Sequence, residues 1–246
     1  MNKFFRKIRR KLLSENKFSK YLIYAFGEII LVVIGILIAL SINNWNEDRK
    51  AKTYEKQVYT QIYKDIKADS LNLSLSINFY KQKDTLINRI LYDSVPSIAY
   101  DTINNINQFT FPYGIRLITS HIYITTTKKG YQLFKTFNTM DIESDSLSFS
   151  IEDYYTIAIK NENYEKVQNA TRKNITEFQQ KDWFLDLAVN HKLNLDYLDY
   201  INNSRDFKIR VFEYQLFAIK NHNRDLIQQQ ELAEIIKERI KDRLEK

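Results

Sequence analysis

AFGEIILVVIGILIALSINNWNE, Ala25 to Glu47, is the stretch whose reading decides the architecture. Ile29 to Ile42 contains neither a charged residue nor a proline, and the apolar run reaches back to Tyr21, broken only by Glu28. As a helix rising ~1.5 Å per residue, positions 21–42 cover the ~30 Å of a bilayer's hydrocarbon core. The expectation is a single transmembrane helix over residues 21–45. Its length and the extended basic region before it favour a retained signal anchor over a signal peptide cleaved near Ala39 or Ser41.

Charge gives that helix a direction. The chain carries a formal charge of +7. The first 20 residues hold eight basic side chains (Lys3, Arg6, Lys7, Arg9, Arg10, Lys11, Lys17 and Lys20) against Glu15, leaving 29 basic and 29 acidic residues for the rest. A nucleic-acid binder would carry its cations on the folded domain. Cations crowded before a membrane segment instead follow the positive-inside pattern. The expected topology therefore has residues 1–20 cytoplasmic and residues 46–246 forming a domain on the far side of the membrane.

Within residues 1–20, Phe4, Phe5, Ile8, Leu12 and Leu13 fall at helical spacing with basic residues between them. This pattern suits an amphipathic helix on anionic lipid, with Lys3, Arg6, Lys7, Arg9, Arg10 and Lys11 facing the headgroups; it also suits a pure topology signal. Tyr21, Tyr24 and Trp45 are placed as interfacial aromatic anchors. Glu28, Gly35 and Ala39 share one face of the membrane helix, and small residues four apart allow close helix contact. Glu28 reads either as part of a contact with a membrane partner or second copy, or as an interfacial group reaching water.

The run FFRKIRRKLLSENKFSKYLIYAFGEIILVVIGILIALSINNWNEDRK resembles the N-terminal signature of an uncharacterised family of single-pass membrane proteins from Bacteroidota. The likeness is closest over residues 1–50 and continues loosely through TTTKKGYQLFKT and the pair Tyr154 and Tyr155. It implies an inner-membrane protein with a helical periplasmic part, and supplies no activity, cofactor or catalytic residue.

The remaining sequence predicts a mainly α fold: an extracytoplasmic helical bundle with an irregular central segment. There are only four Gly and two Pro in 246 residues, with neither after Gly130, and no Cys to form a disulfide or thiolate site. From Asn44, apolar residues at Val58, Ile62, Ile66, Leu73, Ile77, Tyr80, Ile87 and Leu91 predict one or two long helices, with a bend near Asp69 to Asn72. Ser94 to Thr127 holds both prolines and a β-rich run, predicting loop, short helix and an isolated strand pair. Phe109, Phe111, Pro112, Tyr113 and Arg116 there read as a partner surface or as core.

Thr125 to Thr127 are positioned to cap the helix that follows. Ile151 to Phe178 is expected to continue as one helix. Ile209, Phe212, Leu216, Ile219, Asn223, Leu226, Gln230, Ala233, Lys237, Ile240 and Leu244 form a heptad seam whose far end predicts a coiled coil. Asp141, Glu143, Asp145 and Glu152 sit at calcium-loop positions, but Ser146 replaces the required glycine, and a helix cap at Ser144 or Asp145 accounts for the same residues.

His121, His191 and His222 are scattered and lie in none of the common catalytic or metal motifs. The expected function is a non-enzymatic accessory or scaffolding subunit with no cofactor, contacting membrane lipid and a membrane protein partner or second copy. The alternative is a periplasmic ligand-binding sensor that signals through a partner.

Overall fold

A computed structural model describes residues 18–138 and 145–245. The chain divides into two compact units, Met1–Gln57 and Val58–Lys246. Helices dominate, and no strand occurs among the described residues.

The first helix, α1, runs Phe18–Leu91. With no proline and no glycine after Gly35, nothing interrupts it. The helix is not broken near Asp69: Ile66, Asp69 and Leu73 are all buried, and core packing on that face carries it past the polar stretch. Asp93 ends it in the left-handed conformation (φ 51°), while the Ser94 amide closes on the Arg89 carbonyl at 2.9 Å. This is the Schellman-type stop that Pro96 then enforces.

In the first unit, Leu22, Ile23, Phe26 and the large apolar side chains from Ile29 to Ile42 are exposed around the helix. This is the one described helix long and apolar enough to cross a membrane.

In the second unit, α1 turns Val58, Tyr59, Ile62, Ile66, Leu73, Ile77, Tyr80, Ile87 and Ile90 into the core at three- and four-residue steps. Short helices follow: α2 at Ser97–Asp101, a 3₁₀ turn at Gln108–Thr110, and α3 at Arg116–Thr119. Residues 120–128 carry no regular structure and form no ladder. The strand pair fails because helices supply the partners a neighbouring strand would have offered: the amides of Thr126 and Thr127 donate to Glu162 and Asp69 at 2.6 and 2.8 Å.

Helix α4 spans Lys129–Asn138, and α5 spans Ser146–Glu162. Asp145 caps α5 by accepting the Ser148 amide at 2.9 Å, and pairs with Arg243. The expected continuous helix to Phe178 is instead two. Asn163 leaves helical geometry, its side chain bonding back to the Ile159 carbonyl, and α6 restarts at Glu165–Gln179.

Helices α7 at Trp183–Ala188 and α8 at Leu195–Asn203 pack an aromatic cluster. Trp183 lies 5.1 Å from Tyr197 and 5.5 Å from Tyr200, and Phe178 lies 6.0 Å from Tyr200, all between ring centroids.

The C-terminal rod is α9 at Arg205–Tyr214, a π-helical stretch at Gln215–Asn223, and α10 at Arg224–Glu245, which lies along α5. Here the heptad reading requires correction. The buried face of α9 is Phe207, Val211 and Tyr214, whereas Ile209, Phe212 and Leu216 are exposed. The π stretch changes the phase: within it Ile219 packs against the core and Asn223 is buried, and beyond it Leu226, Ala233 and Ile240 of the expected seam lie in the core.

Candidate functional site

The first unit carries the residues singled out for membrane contact. Glu28 is half-buried, while Gly35 and Ala39 are exposed; a Cβ built on Gly35 meets nothing within 4 Å. A backbone is thus left open to close approach from outside this chain's described residues. Trp45 is exposed, with the Arg49 guanidinium 5.4 Å from its ring centroid. Tyr21 and Tyr24 lie in α1, but their side chains fall outside the described residues, as do Lys3, Arg6, Lys7, Arg9, Arg10 and Lys11.

In the second unit, three carboxylates grip the segment entering α4. Asp65 accepts the Gly130 amide at 2.5 Å and the Gln61 side-chain amide at 2.7 Å. Asp69 accepts the amide and hydroxyl of Thr127 at 2.8 and 2.9 Å. Glu162 accepts the Thr126 amide and pairs with Lys128. A helix N-terminus presents unsatisfied amides and a positive dipole end, so buried carboxylates belong there. The cap expected from Thr125 to Thr127 is therefore supplied largely by α1. Burial still raises the Asp69 carboxyl above its ordinary value, outweighing the Thr127 bonds.

Lys83 is buried among neutral acceptors. It donates to the carbonyls of Leu117 and Ser120, each at 2.6 Å, the Ser120 hydroxyl at 2.9 Å and the Tyr214 hydroxyl at 3.0 Å. Two of these are at the C-terminal end of α3, where a cation is favoured. No carboxylate joins them, and burial, with Arg116 adding repulsion, brings its pKa down to about 7. The amine straps α3 to the core rather than facing a cleft.

His121 and His222 lie near enough for charge on one to disfavour charge on the other. His121 shares a hydrogen bond with the Thr171 hydroxyl at 3.1 Å, and His191 has a left-handed backbone (φ 48°). His222 lies in the π stretch, stacked on Tyr164 at 4.5 Å, and burial lowers its pKa to about 4.

Of the central aromatics, Phe111 and Tyr113 are buried, whereas Phe109, Pro112 and Arg116 are exposed, so the expected surface is divided. Asp141 and Glu143 lie outside the described residues; Asp145 caps α5 and Glu152 pairs with Lys135 at 3.5 Å. No group of side chains suited to a metal occurs among the described residues.

Asp65, Asp69 and Lys83 escaped the sequence reading. Their signal was present: each occupies a core-phase position in an otherwise apolar stripe, between Ile62 and Leu73 or between Tyr80 and Ile87. A charge at such a position is retained only with partners.

An outward face provides a different chemistry. Leu91, Tyr92, Ile209 and Phe212 line an open depression of about 450 Å³, with Arg205, Lys208 and Lys220 around it. Lys208 pairs with Asp93, while no acidic partner of Arg205 or Lys220 occurs among the described residues.

These features define a mainly helical protein with one long, exposed apolar helix and a helical domain whose buried charges serve its packing. Residues 28–205 match the model of a family of unknown function (DUF6090), and the chain belongs to that family. The match covers Glu28 to Arg205. No curated protein and no solved structure matches the chain.

Proposed function

We propose that this protein is a single-pass bacterial inner-membrane protein that acts as a non-enzymatic accessory or scaffolding subunit. Residues 1–20 are cytoplasmic and bind anionic lipid through their cations, α1 crosses the bilayer, and the helical domain stands in the periplasm. The observation carrying this reading is the apolar belt from Leu22 to Ile42, exposed around a helix with an open backbone at Gly35. Water would penalise that belt, whereas lipid accommodates it and Gly35 with Ala39 admits another helix.

The test is in-cell crosslinking at the membrane helix, followed by purification and mass spectrometry. A reproducible membrane partner, or a second copy, lost in Glu28→Gln or Gly35→Leu is expected. Crosslinking unchanged by both substitutions would refute the contact role.

A further inference from the structure

Helix α9 is apolar on two faces. Phe207, Val211 and Tyr214 fill the core, while Ile209, Phe212 and Leu216 project outward and are 49%, 51% and 39% exposed. The π stretch accounts for this doubling: the heptad seam that becomes buried in α10 begins on the outside of α9. Leu91 and the exposed Tyr92 extend the apolar surface at the end of α1.

Charge selects among occupants. Arg205, Lys208 and Lys220 surround this surface, and among the described residues only Lys208 has a carboxylate partner, Asp93. The floor is polar but closed, because Gln215 donates to Asp84 at 3.1 Å and Asn88 at 2.7 Å. An open groove lacks the enclosure that a small apolar ligand needs. Apolar anchors at helical spacing with a cationic border match the mode in which an amphipathic helix lays its apolar side into a groove.

We infer that the face formed by Tyr92, Arg205, Ile209, Phe212 and Lys220 docks an acidic amphipathic helix of a partner protein. Its leucine-type side chains cover Ile209 and Phe212, and its carboxylates meet Arg205 and Lys220. The border charges speed encounter and set which sign of partner is accepted, while the aromatic anchor slows release. This inference deepens the scaffold reading by naming a contact surface.

The probe is a fluorescent 18-residue helical peptide with leucines on one face and glutamates elsewhere. It is titrated by anisotropy against the full-length protein in phosphatidylcholine nanodiscs, with empty nanodiscs and a lysine-for-glutamate peptide as controls. Saturable, salt-sensitive binding of the acidic peptide is expected. Phe212→Ser should weaken it about tenfold or more, as removal of an aromatic anchor does, and the double change Arg205→Glu with Lys220→Glu should turn the preference toward the lysine peptide.

Circular dichroism verifies that both variants fold; the charge variant alters only exposed positions. Binding no greater than to empty nanodiscs, equal binding of both peptides, or indifference to both variants overturns the inference. Wild-type self-association abolished by Phe212→Ser would assign the face to a second copy and also overturn it. The membrane-helix crosslinks depend on Glu28 and Gly35, so a loss there with peptide binding intact would fault the scaffold reading alone.

Discussion

Replacing Gly130 by Ala is the sharpest test of the clasp between α1 and α4. A Cβ at this position would stand 2.6 Å from the Ile62 nitrogen, 2.8 Å from its Cα and 2.9 Å from the Gln61 carbonyl carbon. All three are backbone atoms of α1, so no side chain can rotate away, and α4 must withdraw. Withdrawal lengthens the 2.5 Å bond from the Gly130 amide to the buried Asp65 carboxylate.

Alanine gains roughly 1 kcal/mol in helix propensity. Against this stand roughly 1–3 kcal/mol for overpacking and roughly 1.5–3 kcal/mol for weakening a hydrogen bond to a charged group. The net expectation is a loss of about 2–4 kcal/mol, or about 5–15 °C in Tm for a domain of this size. Trp183, buried in the aromatic core, reports unfolding by fluorescence when Trp45 is replaced by Phe. A Gly130→Ala variant as stable as the parent would refute the close-approach argument.

Other measurements address separate parts of the molecule. Because Lys83 falls from 10.5 to about 7 in the fold, the unfolded chain holds an extra proton between those values, and this group's contribution to stability rises with pH across that window. Urea midpoints from pH 7 to 10 should rise less steeply in Lys83→Met than in the parent; equal slopes would deny the assignment. Asp145→Ala should lose about 1–2 kcal/mol through the α5 cap, while calorimetry with calcium should give no binding heat, since Asp145 and Glu152 already serve Ser148, Arg243 and Lys135. The chain has no cysteine, so Ser14→Cys and Asn202→Cys can be labelled individually. An impermeant maleimide on spheroplasts should modify only the second, and the reverse pattern would invert the proposed topology.

The helical class was legible because scarce Gly and Pro leave few places to stop a helix, and the core of α1 followed its apolar spacing from Val58 onward. The segment at 120–128 misled because Ile122, Ile124 and the threonines suit a strand, while the deciding partners, Asp69 and Glu162, are distant in sequence. The heptad reading assumed one helical phase from Asp206 onward, and no residue in QLFAIKNHN announces the wider turn. In the apolar segment of α1, the shared face of Glu28, Gly35 and Ala39 follows from periodicity alone. The outward surface around Phe212 was visible only as half of a seam expected to be buried, because its exposure depends on where α9 turns its other face.

The nine-residue π stretch also shapes how the C-terminal part can vary. Wider turns between fixed ends hold about one residue more than ordinary α-helix would, so removing one residue between Gln215 and Asn223 lets α-helix replace them while Leu226, Ala233 and Ile240 keep their places in the core and Asp225 its pairing with Lys160. Removing one residue from α10 instead would turn everything beyond it by about 100°. The segment therefore behaves as slack in the rod, absorbing a change of length that the α-helices on either side would pass on.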